Sequence, residues 1–170
     1  MRRTLSLALA LLASAAAPAA AATFVVPSVE EMARSSDAVV RGHVLGTASR
    51  ETRDGRIVTE VEVVVDDAWK GAPDGTVRLV VPGGRVGRLA MKVDAAPVFA
   101  DGEEVVVFLS RVGVGWHVNG HALGKYRVER GEARPGLGDA RVLPRAIAPG
   151  ERRVGPMAIE ELERRVRAAR

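Results

Sequence analysis

The segment from Ile57 to Lys70 constrains the fold more than any other part of this chain. Apolar and polar residues alternate along it, which is the pattern of a β-strand with one face in a core and the other in water. The alternation predicts that this strand covers one side of a hydrophobic core. One parity carries Ile57, Thr59, Val61, Val63, Val65 and Trp69, and the other carries Arg56, Glu60, Glu62, Asp66 and Lys70.

Four further segments are predicted to be strands. Asp37–Ser49 precedes the alternating strand and is joined to it by an Asp54-Gly55 hairpin turn. Thr76–Val81 follows it, and Glu104–Ser110 is apolar on both faces. Trp116–Glu129 alternates again, and its glycines indicate a bend or a bulge. The pattern predicts an all-β fold, a small five-stranded barrel that is closed or nearly closed, with a two-sheet sandwich as the alternative.

Two helices are predicted to flank these strands. Ser28-Val29-Glu30-Glu31 is a capping box, which predicts a short N-terminal helix from Val29 to about Ser35. Pro156 suits the first turn of an amphipathic C-terminal helix. We expect this helix to pack one apolar stripe on the body of the protein; a helix on a membrane surface is the alternative. The stripe consists of Ile159, Leu162, Val166 and Ala169, and acids at 160, 161 and 163 precede by four residues the arginines at 164, 165 and 167.

The first 22 residues have the three-part pattern of a secretory signal. Arg2 and Arg3 precede the apolar run Leu5–Leu12, and small residues follow up to Ala22. We therefore predict export, to the periplasm or outside the cell, with cleavage near Ala22. The apolar run is too short for a membrane span, and no later segment approaches the length that one needs. The predicted organisation is a signal peptide at 1–22, a β-barrel domain at 23–130, a Gly/Pro/Arg-rich arm or linker at 131–155 and a helix at 156–170.

Composition removes several classes of function. The chain has no cysteine, so it has neither thiol catalysis nor thiolate metal sites. Its pI is near 10.3, yet loss of Arg2 and Arg3 would lower the net charge from +4 to +2. Nearly all the basic residues are arginines in an Ala-, Val- and Gly-rich chain, which is typical of high-GC coding. We therefore predict no nucleic-acid partner. The aromatic residues at positions predicted to face the core would not be available to stack on bases.

No residues form a recognisable catalytic or metal-binding pattern. His117 and His121 lie four residues apart, but on a strand that spacing separates them by about 13 Å, too far for one ion. If Asn119-Gly120 is instead a two-residue hairpin turn, the two histidines lie on opposite faces, so this geometry also excludes a shared ion. The serines of the predicted mature chain have no nucleophile-elbow context. Asp101, Glu103 and Glu104 belong to a turn and the flank of a strand. We predict no catalytic, cofactor-binding or metal-binding residue, and hence no enzyme.

The connection between the third and fourth strands is the candidate contact surface. It opens with Gly83-Gly84-Arg85-Val86-Gly87, a glycine cluster after a strand, as in phosphate-binding loops. No amphipathic helix follows to supply free amides, so phosphate binding is not predicted. Long ordered loops on rigid scaffolds often carry binding. We therefore take Arg85, Arg88 and Lys92 as the candidate partner-contact residues.

Several segments together carry a resemblance. They are SVEEMARSSDAVVRGHVLG, GRIVTEVEVVVDDAWKG, VRLVVPGG, PVFADGEEVVVFL and HALGKYRV. The chain resembles a family of exported bacterial proteins of unassigned function. The strand order is also similar to the OB-fold barrel of netrin-like domains and tissue inhibitors of metalloproteinases, on Asp37–Val44 and Gly102–Leu109. Those inhibitors chelate the protease zinc through an N-terminal cysteine, which this chain lacks, so no inhibitory residue is implied.

These observations lead to one principal hypothesis of function. We expect a secreted or periplasmic module that works by binding, with another exported protein or an envelope component as partner. A protease-inhibitor-like protein acting on a secreted metalloprotease is the alternative, and a small hydrolase is the third.

Overall fold

The computed structural model describes residues 23–71, 73, 75–113, 115–137 and 141–169, so the predicted signal peptide lies outside the described residues. The described residues are mostly β, with 51% of them in strands and 15% in helices. The strands are β1 (Thr23–Val26), β2 (Ala38–Glu51), β3 (Ile57–Lys70), β4 (Thr76–Pro82), β5 (Gly84–Val86), β6 (Leu89–Met91), β7 (Glu104–Val112), β8 (Gly115–Val118), β9 (Lys125–Glu129), β10 (Glu132–Pro135), β11 (Arg141–Pro144) and β12 (Met157–Ala158). The α-helices are α1 (Val29–Ser35) and α2 (Ile159–Ala168).

Eight strands form one large mixed sheet. Their order is β12-β10-β9-β7-β2-β3-β4-β8, and β8 pairs a second time with β7. All these pairings are antiparallel except that of β4 with β8, which is parallel and joins Leu79 to Trp116. β1 pairs in parallel with β11, and β5 with β6 forms a small separate hairpin.

The long hairpin of β2 and β3 is interrupted by bulges. Register shifts occur between Val39 and Val40, between Arg41 and Gly42, and between Val44 and Gly46. Bulges bend strands and change which face a side chain reaches. The predicted alternation therefore holds only in part, because Trp69 is fully buried but lies in a different apolar cluster from Val61 and Val63.

The two faces of the sheet bury two separate clusters. The inner cluster includes Val40, Val63, Leu79 and Val107, and Phe99 and Trp116 pack against it. The outer cluster lies between the sheet and the two helices. Strand β7 contributes to both, with Val105, Val107 and Leu109 on one side and Val106 and Phe108 on the other. This explains why its sequence is apolar on both faces.

Both helices pack on the outer face. Ser28 begins α1, its hydroxyl accepting a hydrogen bond from the Glu31 backbone N–H at 3.0 Å. Helix α2 buries the predicted stripe of Ile159, Leu162, Val166 and Ala169. Arg165 connects the two helices, since its Nη1 lies 2.6 Å from Glu30 Oε1 and its Nε 3.0 Å from Glu161 Oε1.

The prediction of one bent strand over Trp116–Glu129 is wrong. The segment forms two strands, β8 and β9, separated by a 3₁₀-helix at His121–Gly124. Gly120 has a φ of 71° and His121 a φ of 56°, so the chain turns in the left-handed region instead of bulging. Beyond Glu129, β10 pairs with β9 and extends the large sheet.

Candidate contact surface

The glycine cluster Gly83-Gly84 folds the chain back onto the β2–β3 hairpin. Gly84 has a φ of 135°, and a Cβ at this position would overlap the hydroxyls of Ser49 and Thr59. Those hydroxyls lie 2.9 Å apart, and Thr59 Oγ1 donates to the Gly83 carbonyl at 2.8 Å. The backbone N–H of Gly83 donates to the Ile57 carbonyl and that of Arg85 to Ser49 Oγ. The amides of these two residues are therefore engaged within the protein, and the glycines serve close packing.

The chain then forms a short hairpin, β5–β6. Val86 pairs with Leu89, and Gly87, with a φ of 57°, makes the turn. We call residues 84–92 the basic hairpin, because Arg85, Arg88 and Lys92 are its charged residues. The sequence predicts only an extended, partly packed connection here, since three-residue strands are too short to show a periodicity.

The three candidate contact residues are exposed and unpaired. In the described part of the chain, the side chains of Arg85, Arg88 and Lys92 have no hydrogen bond, ion pair or ring contact. Elsewhere most exposed arginines meet a carboxylate, as Arg50 does with Glu60 at 2.6 Å. The hairpin thus presents three cationic side chains that make no interaction within the fold.

The return leg of the connection is fixed by a buried ion pair. Lys125 Nζ lies 2.5 Å from Glu103 Oε1 and 2.8 Å from the Val98 carbonyl, and the two charged side chains are only 6% and 5% exposed. Glu103 Oε2 accepts the Ala100 N–H at 3.1 Å. The Lys125 ammonium also lies 5.1 Å from the centroid of the Phe99 ring. The loop is therefore tied to β9 by a side chain that reaches across from the sheet.

Burial governs the ionisation of Lys125. Desolvation lowers the pKa of its ammonium, and the hydrogen bond and charge of Glu103 oppose that shift. The alternation of polar and apolar residues over Trp116–Glu129 predicts that the side chain of Lys125 faces solvent. This prediction is wrong, because Lys125 is buried. Its partner is 22 residues earlier in the chain, and no local pattern of charge or hydropathy indicates such a long-range pair.

Backbone hydrogen bonds hold the end of the loop. Gly102 N–H donates to the Val44 carbonyl at 2.8 Å, and Val44 N–H donates to the Glu103 carbonyl at 2.9 Å. Near its middle, the Ala95 carbonyl accepts the Ala122 N–H at 3.0 Å. The basic hairpin therefore projects from a loop that is attached at its start, its middle and its end.

The remaining candidates for chemistry do not assemble into a site. His43 Nδ1 lies 2.6 Å from Asp66 Oδ2, with the two side chains 52% and 42% exposed. No described serine or threonine hydroxyl bonds to that ring. His117 lies in β8, and His121 is exposed in the 3₁₀-helix. The residues that the structure describes contain no group of three or more His, Asp or Glu side chains placed to hold a metal ion.

Comparisons with other proteins give no assignment. No protein-family model matches the sequence, and no curated protein matches it significantly. Among the described residues, neither helix has both the length and the apolar character that crossing a membrane requires.

Proposed function

We propose that this chain is an exported, non-catalytic binding module that contacts its partner through the basic hairpin. The observation that carries the proposal is a contrast between two parts of the connection from β4 to β7. The flanking parts of the loop are held by buried and backbone interactions, whereas the side chains of Arg85, Arg88 and Lys92 make no hydrogen bond, ion pair or ring contact in the described chain. Charged side chains that the fold does not use are available to a partner of opposite charge.

The scaffold proposed for this module is a small five-stranded OB-like barrel. The supporting observation is that pairings run from β2 to β3, β4, β8 and β7, and from β7 back to β2. The inner cluster lies among these five strands, with Val40, Val63, Leu79 and Val107 as members. A barrel of this kind has no open edge in the ring, so its loops are displayed from a rigid body.

The first test is where the chain is found. Expression of the full chain in a bacterial host, followed by fractionation and mass spectrometry, should give a product outside the cytoplasm that begins at or near Thr23. Recovery of an uncleaved chain in the cytoplasm alone would contradict the proposal.

The second test is capture of a partner by two matched variants. The hairpin variant carries R85Q, R88Q and K92Q. The control variant carries R130Q, R153Q and R164Q, which removes the same charge from exposed arginines that also make no ion pair in the described chain. A partner from the envelope fraction should be retained by the wild type and the control and lost by the hairpin variant. Equal retention by all three would refute the role of the hairpin.

The same purified protein separates the alternative functions. A binding module leaves the activity of a secreted metalloprotease unchanged and shows no turnover in esterase, glycosidase and protease screens. Dose-dependent inhibition would favour the inhibitor-like alternative, and turnover would favour the hydrolase.

A further inference from the structure

The basic hairpin carries its three free cations along its length and an exposed apolar side chain beside its turn. Leu89 is 58% exposed and follows Arg88 directly after the turn. Val93 lies just beyond Lys92 and is 36% exposed. Peripheral proteins bind a bilayer through this combination, with an apolar group at the boundary of headgroups and acyl chains and cations on the lipid phosphates.

The form of the hairpin favours a bilayer over an acidic protein as its partner. Stable protein interfaces bury about 1,000 Å² or more in total and centre on packed anchors, often aromatic. Residues 83–93 contain no Phe, Trp or Tyr, and each strand of the hairpin has three residues. A lipid surface needs no complementary pocket and accepts a small protruding tip.

We propose that the basic hairpin docks on an anionic phospholipid leaflet, with Leu89 at the interface and Arg85, Arg88 and Lys92 on the lipid phosphates. The proposal rests on the proposed function, since it names the partner of the same surface. A basic side chain near an anionic membrane strengthens binding roughly fivefold, so three of them together contribute roughly two orders of magnitude. Leu89, which is 58% exposed, adds about a further tenfold if it is buried at the interface. Binding of this strength is reversible.

The experiment is sedimentation with phospholipid vesicles. The protein is expressed as the full chain, its N-terminus is determined by mass spectrometry, and only equally processed chains are compared, because an uncleaved leader would itself bind lipid. Wild type should sediment with vesicles that contain phosphatidylglycerol in phosphatidylcholine and not with phosphatidylcholine alone. High salt should release it, because screening shortens the reach of the exposed charges.

The variants assign binding to the hairpin. The hairpin variant should lose about two orders of magnitude in affinity for the anionic vesicles, and the control variant should keep nearly all of it. L89S should lose about tenfold and keep the salt dependence. Urea midpoints close to the wild-type value would show that the variants are folded.

Three outcomes would overturn the inference. They are equal sedimentation with neutral and anionic vesicles, equal losses in the hairpin and control variants, and failure of the wild type to bind vesicles at all. If the wild type does not bind vesicles but still captures an envelope protein that the hairpin variant loses, the proposed function stands and the lipid partner is wrong. If neither vesicles nor an envelope protein depends on the hairpin, both proposals fall.

Discussion

Replacement of Lys125 by Met should destabilise the protein far more than any change at an exposed basic residue. The substitution keeps the length of the side chain and removes its charge. It leaves the Glu103 carboxylate, which is 5% exposed, without its 2.5 Å partner, and it leaves the Val98 carbonyl without its donor. Glu103 would keep the Ala100 N–H and a 3.5 Å approach of Arg127 Nε.

The expected loss in the free energy of unfolding is about 3–5 kcal/mol, which is typical when one member of a buried ion pair is removed. The remaining contacts of Glu103 place the value near the lower end of that range. K125M/E103Q should recover part of the loss, because a neutral amide replaces the unpaired charge. R127Q is the control, since Arg127 is 58% exposed and its pairing contributes no more than about 1 kcal/mol.

Urea unfolding followed by the fluorescence of Trp69 and Trp116 measures these differences. With a slope of about 1–3 kcal/mol per molar urea, K125M should lower the midpoint by at least about 1 M. A loss below about 1 kcal/mol, or additive effects in the double variant, would refute the reasoning.

Three other substitutions test the packing. Y126F should be neutral or stabilising by up to about 1–3 kcal/mol in urea unfolding, because the buried hydroxyl has no hydrogen-bond partner in the described chain and the Gly155 N–H only approaches it. Burial raises the pKa of Tyr126, so wild-type stability should fall above about pH 10, where only the unfolded chain releases the phenolic proton; Y126F should lack that fall. In the same assay, G84A should lower the free energy of unfolding by about 2 kcal/mol or more and G87A by about 1 kcal/mol. Of the two added Cβ atoms, only the one at Gly84 would meet other atoms. Equal losses would contradict the close packing of Gly84. L162A should lower the free energy of unfolding by about 2–5 kcal/mol, since Leu162 is fully buried on the inner face of α2. A smaller loss would mean that α2 is weakly docked.

The sequence predicts those parts of the fold that local patterns determine. Thr76–Val81 is a strand with Val77, Leu79 and Val81 buried, as its alternation indicates. The buried stripe of α2 follows in the same way from a periodicity that a single helix imposes. Register shifts depend instead on how two strands pair. The sequence of one strand alone therefore predicts neither the change of face at Trp69 nor the turn after Gly120.

The candidate surface likewise has one property that local sequence predicts and another that depends on long-range contacts. The exposure of Arg85, Arg88 and Lys92 follows from their charge and from their place in a connection between strands, and the structure leaves them exposed. The hairpin that groups them depends on Gly84 fitting against Ser49 and Thr59, which are more than 20 residues away. Pairings of this range need the folded chain, because nothing in a local window brings the partners together.

Folding and the proposed binding depend on different residues of this connection, so their effects can be measured separately. Gly84 and Lys125 are required by the packing of the loop, so their replacement changes stability first and binding only as a consequence. The side chains of Arg85, Arg88 and Lys92 make no hydrogen bond, ion pair or ring contact that a substitution would remove in the described chain. Exposed cations three to seven residues apart repel one another modestly, and the fold offers them no carboxylate in return. A cluster that folding does not need and that electrostatics slightly disfavours is what the proposed binding to a negatively charged partner would require.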